Sequence, residues 1–455
     1  MTTYSVTNPY TNAVIFESNY NVFADVEEKL KRLKAGQAAQ RNIPAHEKSD
    51  ILRKLAELLT ENSEKLAQLI TAETGKTIAD SRVEMTRAIN TAIASSEEAR
   101  QISGEVLDSD CYAPTRGKLG IACWKPLGTV FCITPFNFPI NIAMHKIAPA
   151  FAAGNCVLFK PSPQNTQSSL LLCELCYQAG ISKDALQFCV PDVADMAAII
   201  GHTLVDAINF TGGTAAANSI AAAAGYKKLL LELGGNDPLI VMPDGDINKA
   251  VAAAINQRFA TAGQRCTAAK RLFIHNDIYD AFKAKLLEET NRLVVGDPAQ
   301  ENTFIGPVIN SHAANSVKAS IEQAVSVGAT VLTGNKQEDN IIYPTILENL
   351  NEKCELMVEE VFGPVMPLIP FADIEEIIPV INNSEYGLQG GIFTENLALI
   401  KHLFDVLDIG TLAVNDGPGF RAEHFPFGGV KASGVGREGI KYAIREMSFI
   451  KTLVI

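Results

Sequence analysis

Apolar residues recur at intervals of three and four through residues 23–105. Ile51, Leu52, Leu55, Leu58 and Leu59, then Leu66, Leu69 and Ile70, follow the spacing that predicts amphipathic helices. Gly75 is placed to end one helix, and another is expected from near Ala79 toward Gly104, carrying Arg87. After Gly104 the period changes. Residues 116–134 are short apolar runs cut by Gly and Pro, the pattern of strands and turns. Short apolar runs then alternate with helical stretches: strands are expected over 157–159, 185–190, 207–211 and 228–232, and helices over 170–179, 194–200 and 214–224. Such alternation predicts parallel βαβ units and a doubly wound sheet. A second α/β segment begins near Asp246, with a helix over 246–258, a strand over 271–274 and a helix over 278–294. Further units run through Val308, Ile321, Val331 and residues 374–386. The ending SFIKTLVI is β-rich and stands apart from this pattern; it is expected to form a terminal strand available for pairing with another chain.

A chain of 455 residues exceeds one ordinary core, so two or three domains are expected. The net charge of -12, with both signs mixed along the chain, argues against a general nucleic-acid surface. It leaves room for a small basic pocket. The nine cysteines have no regular spacing, which suits a reducing compartment better than a disulfide framework. The N-terminal stretch lacks the pattern of a signal peptide, and no apolar run is long enough for a transmembrane helix, so a cytoplasmic protein is expected.

Several segments combine residue types that chemistry uses. In ATAGQRCTAAKR, Cys266 sits among small and polar residues, and Arg265 beside it would favour the thiolate, although most cysteines are simply buried small hydrophobes. In LLLELGGNDPLIV, Glu232 ends an apolar strand, a costly position unless the carboxylate faces a cavity or a partner. Asn137, between two prolines in ITPFNFP, is placed to donate to an oxyanion or to make an ordinary turn bond. Gly212 and Gly213 lie between a strand and a helix, where a phosphate-bearing ligand can approach, and Lys160 ends another strand. Cys173 and Cys176 form CxxC on a helix without a second ligand pair, and no HExxH is present, so no metal site is expected.

Taken together, PFNFP, GNCVLFKPS, FTGGT, LELGGNDP, GQRCT, EEVFGPV and PFGGVKASGVGREG resemble the aldehyde dehydrogenase superfamily, in family order and over nearly the whole chain. The resemblance implies an α/β fold with a Rossmann-type cofactor domain (1–108 and 127–234), an α/β catalytic domain (235–440) and a small β oligomerisation element (109–126 and 441–455). It implies an NAD- or NADP-dependent enzyme, a homodimer or homotetramer. Cys266 would be the nucleophile, Asn137 with the Cys266 N–H the oxyanion site, and Glu232 the base that activates water. Lys160, Ser162, Thr134, Pro135, Thr211, Gly212, Gly213, Leu233, Glu360 and Phe362 would contact the cofactor, and Lys146 would support the centre. Many NAD-preferring members carry an acidic residue where this chain has Pro163, which leaves NADP open.

Arg87, Arg265 and Arg421 fall in stretches that the family uses around its substrate tunnel, together with Thr267 and Phe138. Three arginines there favour an anionic aldehyde, although each could instead pair with a structural carboxylate. The motifs resemble the branch of lactaldehyde, phosphonoacetaldehyde and non-phosphorylating glyceraldehyde-3-phosphate dehydrogenases. A neutral lactaldehyde-type substrate and a CoA-acylating semialdehyde dehydrogenase are the alternatives, and a catalytically silent scaffold is the non-enzyme alternative.

Overall fold

The computed structural model describes residues 2–351 and 354–455. The predicted helical region contains four helices, Phe23–Asn42, Ala45–Glu61, Ser63–Thr74 and Ile78–Ala99. Gly75 closes the third with a left-handed φ of 73°, as its position suggested. The fourth ends before the expected Gly104, and Glu105–Leu107 is already a strand.

Two large sheets organise the rest. The first has six strands in the order Gly434–Val435, Lys228–Glu232, Ala207–Thr211, Thr129–Ile133, Cys156–Lys160 and Leu186–Phe188. All pairs are parallel except the two-residue strand at the 434–435 edge. The chain winds outward in one direction from Thr129–Ile133 and then in the other from Ala207–Thr211. These neighbours form the topological switch point, where open α/β sheets bind ligands beyond the carboxyl ends of their strands. The second sheet has seven strands, with Arg271–His275 and Pro238–Val241 near its middle. Each sheet has its own buried apolar cluster. The fold is thus α/β and Rossmann-type in its first sheet, as expected.

The helix Pro139–Ala153 was not foreseen. Every one of its residues is buried, so it has no polar face and no amphipathic period to read. The same holds for the strand Pro238–Val241, buried throughout. The terminal strand forms as expected and keeps one edge free. Ser448–Val454 pairs antiparallel with Gly120–Pro126 of its own chain, from Ser448 opposite Pro126 to Val454 opposite Gly120. Glu105–Leu107 completes this small three-stranded sheet.

Candidate active site

The switch point opens into a cavity of about 210 Å3. Pro135, Phe136 and Asn137 enter it from the loop after Thr129–Ile133, and Thr211, Gly212 and Gly213 from the loop after Ala207–Thr211. Leu233 and Gly234 follow the strand Lys228–Glu232, while Cys266, Glu360 and Phe362 approach from the second-sheet side. Phe136 and Phe362 meet edge to face, their ring centres 6.1 Å apart. Nine of the residues expected at the site therefore share one cavity, and Phe136, Ile142 and Gly234 join them unforeseen. Ile142 was hidden with its helix; Phe136 and Gly234 lie inside quoted motifs but carry no polar group to draw notice.

Polar atoms without partners point into this region. The hydroxyls of Thr134 and Thr211 are buried and have no protein hydrogen bond. Lys160 donates only to the Pro161 carbonyl, at 3.2 Å, and burial lowers its pKa against the opposing effect of Cys189. These orphaned groups at the ends of adjacent parallel strands suit the hydroxyls and phosphates of a dinucleotide. Ser162 begins the turn after Lys160. Lys160, Ser162 and Thr134 lie at this strand edge outside the cavity lining itself.

Around Cys266 the structure holds the backbone tightly. Lys270, itself buried, donates to the carbonyls of Cys266 at 2.5 Å and Arg265 at 3.0 Å, and pairs with Glu360 at 2.9 Å. Glu360 also accepts the Gly235 N–H at 3.3 Å. Thus one lysine ties the nucleophile segment to the residue expected to position the cofactor. Asn137 donates through Nδ2 to the Gln264 carbonyl at 2.8 Å, two residues from Cys266. That leaves Asn137 a second N–H.

The expectation that Arg265 makes Cys266 a thiolate is corrected. Burial pushes the thiol up to about 11; Lys270 and Arg421 pull it down, while Glu360 and Asp237 add to the rise. In the protein alone the sulfur is therefore a protonated thiol at neutral pH, because desolvation outweighs the nearby cations.

Glu232 is buried, and its Oε2 has no hydrogen-bond partner. Burial, then the charge of Glu438, pushes its pKa well above the usual carboxylate range. Glu438 shows the opposite outcome: although burial opposes it, Lys146 and Arg421 hold its carboxyl well below that range. Lys146 lies 3.1 Å from one Glu438 oxygen and donates to Asn209 at 2.6 Å, and Arg421 lies 2.5 Å from the other. Two buried carboxylates, one whose pKa two cations hold down and the other whose pKa burial raises, form an arrangement suited to acid–base work. Glu438 lies in a quoted motif, but only the fold brings it to Lys146.

The arginines are partly engaged. Arg87 pairs with Glu423 at 3.1 Å and Arg421 with Glu438, so two of the three have the structural carboxylates that the sequence reading left open. Each nevertheless keeps a buried nitrogen without a partner: Nη2 of Arg87, Nε of Arg265 and Nε of Arg421. They also feel one another. Burial lowers the pKa of Arg87, Arg421 lowers it further, Glu423 opposes and Arg265 adds to the fall. Phe138 lies under two cations, 3.6 Å from the Lys76 ammonium and 5.9 Å from the Arg265 guanidinium. Phe138 and Thr267 border this region without lining the main cavity.

Among the described residues no group of three or more His, Cys, Asp or Glu is placed to hold a metal, and no helix is long and apolar enough to cross a membrane.

A doubly wound sheet has Cys266, Asn137 and the half-buried Glu360 in its switch-point cavity, with the buried Glu232 next to the lining residue Leu233, and the chain belongs to the aldehyde dehydrogenase family, whose model matches residues 1–453. It is an NAD(P)-dependent enzyme of that family. The sulfoacetaldehyde dehydrogenase of Neptuniibacter caesariensis is 64% identical over 453 residues, covering 100% of this chain and 99% of that one. The 3-sulfolactaldehyde dehydrogenase of Priestia megaterium is 37% identical over 451 residues, covering 99% and 94%. Among solved structures, the glyceraldehyde-3-phosphate dehydrogenase GapN of Methanocaldococcus jannaschii, complexed with NADP, matches with a TM-score of 0.95 at 35% identity, covering 99% of this chain and 98% of that one.

Proposed function

We propose that this enzyme oxidises a small sulfonated aldehyde of the sulfoacetaldehyde type to its carboxylate. The observation that carries the reading is the set of three buried, partnerless guanidinium nitrogens on Arg87, Arg265 and Arg421. Leaving such donors unpaired is costly, and an anionic headgroup with three oxygens would satisfy one from each arginine. The names of the relatives in Neptuniibacter and Priestia agree with a sulfonate.

In this reading Cys266 releases its S–H proton to solvent and adds as the thiolate, through sulfur, to the aldehyde carbon. The second N–H of Asn137 and the backbone N–H of Cys266 hold the oxyanion that forms. Bound NAD(P)+ supplies the acceptor for the hydride that leaves the thiohemiacetal. Thr134, Thr211, Lys160, Glu360 and Phe362 would hold and orient that cofactor. Glu232 then takes a proton from the water that attacks the Cys266 thioester. Its raised pKa makes it a stronger base than an ordinary carboxylate, and Lys146 with Glu438 sets the field around it. Glu232 also favours hydrolysis over transfer to CoA.

The same reading assigns 1–108 and 127–234 to cofactor binding, 235–440 to catalysis, and 109–126 with 441–455 to homo-oligomer formation. Nine free cysteines suit a reducing compartment, so we place the enzyme in the cytoplasm.

The test follows reduced cofactor, with NAD and NADP in turn, over sulfoacetaldehyde, glyceraldehyde-3-phosphate, succinic semialdehyde, lactaldehyde and propanal. Sulfoacetaldehyde is expected to exceed the neutral aldehydes by about a hundredfold in kcat/KM, which is about 2.7 kcal/mol. Equal turnover of lactaldehyde or propanal would remove the sulfonate reading and leave the dehydrogenase.

A further inference from the structure

The segment leading into Cys266 has an uncommon backbone. Thr261 and Ala262 have φ of 57° and 52°, and Gly263 has 72°, three consecutive residues in the left-handed region. Glycine takes this conformation freely, whereas a β-branched threonine does so only when its surroundings over-determine it, at a cost of order 1–3 kcal/mol. Gly263 also has a local reason to be glycine, since a Cβ there would lie 2.3 Å from the Gly363 carbonyl oxygen.

What holds Thr261 is Asp80, from the helix Ile78–Ala99. One carboxylate oxygen of Asp80 accepts both the Thr261 N–H, at 2.9 Å, and the Thr261 hydroxyl, at 3.3 Å. Asp80 is itself anchored in the first turn of its helix, where its N–H donates to the Thr77 hydroxyl that caps it, at 3.2 Å. From Thr261 the connection continues. The Thr261 carbonyl accepts from both the backbone N–H and the side-chain amide of Gln264, at 3.1 and 3.2 Å. The Gln264 carbonyl in turn accepts from Asn137. The Gln264 side chain is fixed at its other end by the Ile309 N–H, at 2.8 Å.

We propose that Asp80 is a positioning residue for the reaction: by clamping Thr261 in the left-handed turn it sets Cys266 and Asn137 in register with each other. The inference rests on reading Cys266 as the nucleophile. Asp80 does not line the cavity, and the proposal assigns to the first helix-rich segment a part in shaping the nucleophile loop of the second sheet. Misplacing a reacting group by an ångström is enough to slow an enzyme about a hundredfold.

The test compares Asp80→Ala, Asp80→Asn, the double variant Asp80→Ala with Thr261→Gly, and Thr261→Val. Three readouts are taken on each full-length protein: kcat and KM for sulfoacetaldehyde and for propanal, the alkylation rate of Cys266 by iodoacetamide, and the melting temperature. Asp80→Ala should lose about tenfold or more in kcat with both aldehydes, with KM nearly unchanged and alkylation altered in parallel. Asp80→Asn keeps an acceptor oxygen and should recover most of the loss. The double variant should also recover, because glycine needs no clamp to stay left-handed. Thr261→Val, which loses the hydroxyl bond but can still fold around the retained N–H bond, should slow turnover without a matching fall in melting temperature. Wild-type kcat and alkylation in Asp80→Ala or Thr261→Val would overturn the proposal. So would a double variant as slow as Asp80→Ala, or a loss confined to KM for the sulfonate, which would move the role of Asp80 to the neighbouring Arg265. If Cys266 of the unmodified enzyme resists alkylation and NAD(P) has no effect on it, the nucleophile reading itself falls, independently of Asp80.

Discussion

Cys266 sits where burial outweighs the cations around it, and its thiol is raised to about 11. The reactive species toward iodoacetamide is the thiolate, so in the cofactor-free enzyme the alkylation rate should climb roughly tenfold for each pH unit across the neutral range. The sign follows from desolvation: a raised thiol pKa means less thiolate at any lower pH. A plateau near the ordinary thiol range of about 8.5 would show that water reaches the sulfur more freely than its burial implies. Arg265 offers a second residue-scale test. Its Nε is buried without a partner, and among the described residues no carboxylate pairs with it as Glu423 and Glu438 pair with Arg87 and Arg421. Arg265→Gln should therefore raise KM for sulfoacetaldehyde by about ten- to a hundredfold, the worth of one hydrogen bond to a charged group, and leave propanal unaffected. An equal loss with both aldehydes would make Arg265 a structural support of the Cys266 loop.

At the scale of elements, the helix Pro139–Ala153 has the most to explain. It is buried all round, and its N-terminal donors must be satisfied inside the protein. Glu84 does this, accepting the N–H groups of Ile140 at 2.9 Å and Asn141 at 3.0 Å while pairing with the buried Lys76. One carboxylate of the helix Ile78–Ala99 thus caps this helix and ties it to the turn that precedes Ile78. Lys76→Met would leave the Glu84 charge unpaired in the interior, a loss of about 3–5 kcal/mol, read as a clear drop in melting temperature. Adding Glu84→Gln removes the stranded charge while keeping an acceptor for the helix, so the double variant should melt well above Lys76→Met. If the double variant melts lower still, the cap matters more than the ion pair. The motif PFNFP marked this region in the sequence, but the helix behind it was not legible, because a helix without a solvent face shows no period of three and four.

For the whole molecule, the three-stranded sheet made by Glu105–Leu107, Gly120–Pro126 and Ser448–Val454 is the feature that reaches outward. Val106, Phe449, Ile450, Leu453 and Val454 are exposed on it, and Ser448–Val454 has a free edge. Exposed apolar side chains on both faces of this small sheet, beside an unpaired strand edge, mark an interaction surface. Size-exclusion chromatography with light scattering should find a dimer or tetramer, and Ile450→Asp should shift it toward the monomer. A monomer at working concentration for the unmodified protein would remove the oligomer proposal. The β character of the terminal segment was plain in its sequence; that it first pairs within its own chain was not, since register depends on which edge the folded chain presents.

Local patterns alone determined the helical character of residues 23–105, the alternation of strands and helices, and the motifs that bring Cys266, Glu232 and Asn137 forward, because periodicity and short motifs are written in neighbouring residues. Only the tertiary structure decided which charges meet. Arg87 finds Glu423 across 336 positions, Lys146 finds Glu438 across 292, and Asp80 reaches Thr261 across 181. Those contacts decide that Arg87 and Arg421 are half engaged, that the carboxyls of Glu232 and Glu438 shift in opposite directions, and that the Cys266 thiol is pushed up. The reason is physical: ionisation and hydrogen bonding in an interior depend on what desolvates a group and what lies within a few ångströms of it, and both are properties of the packed chain.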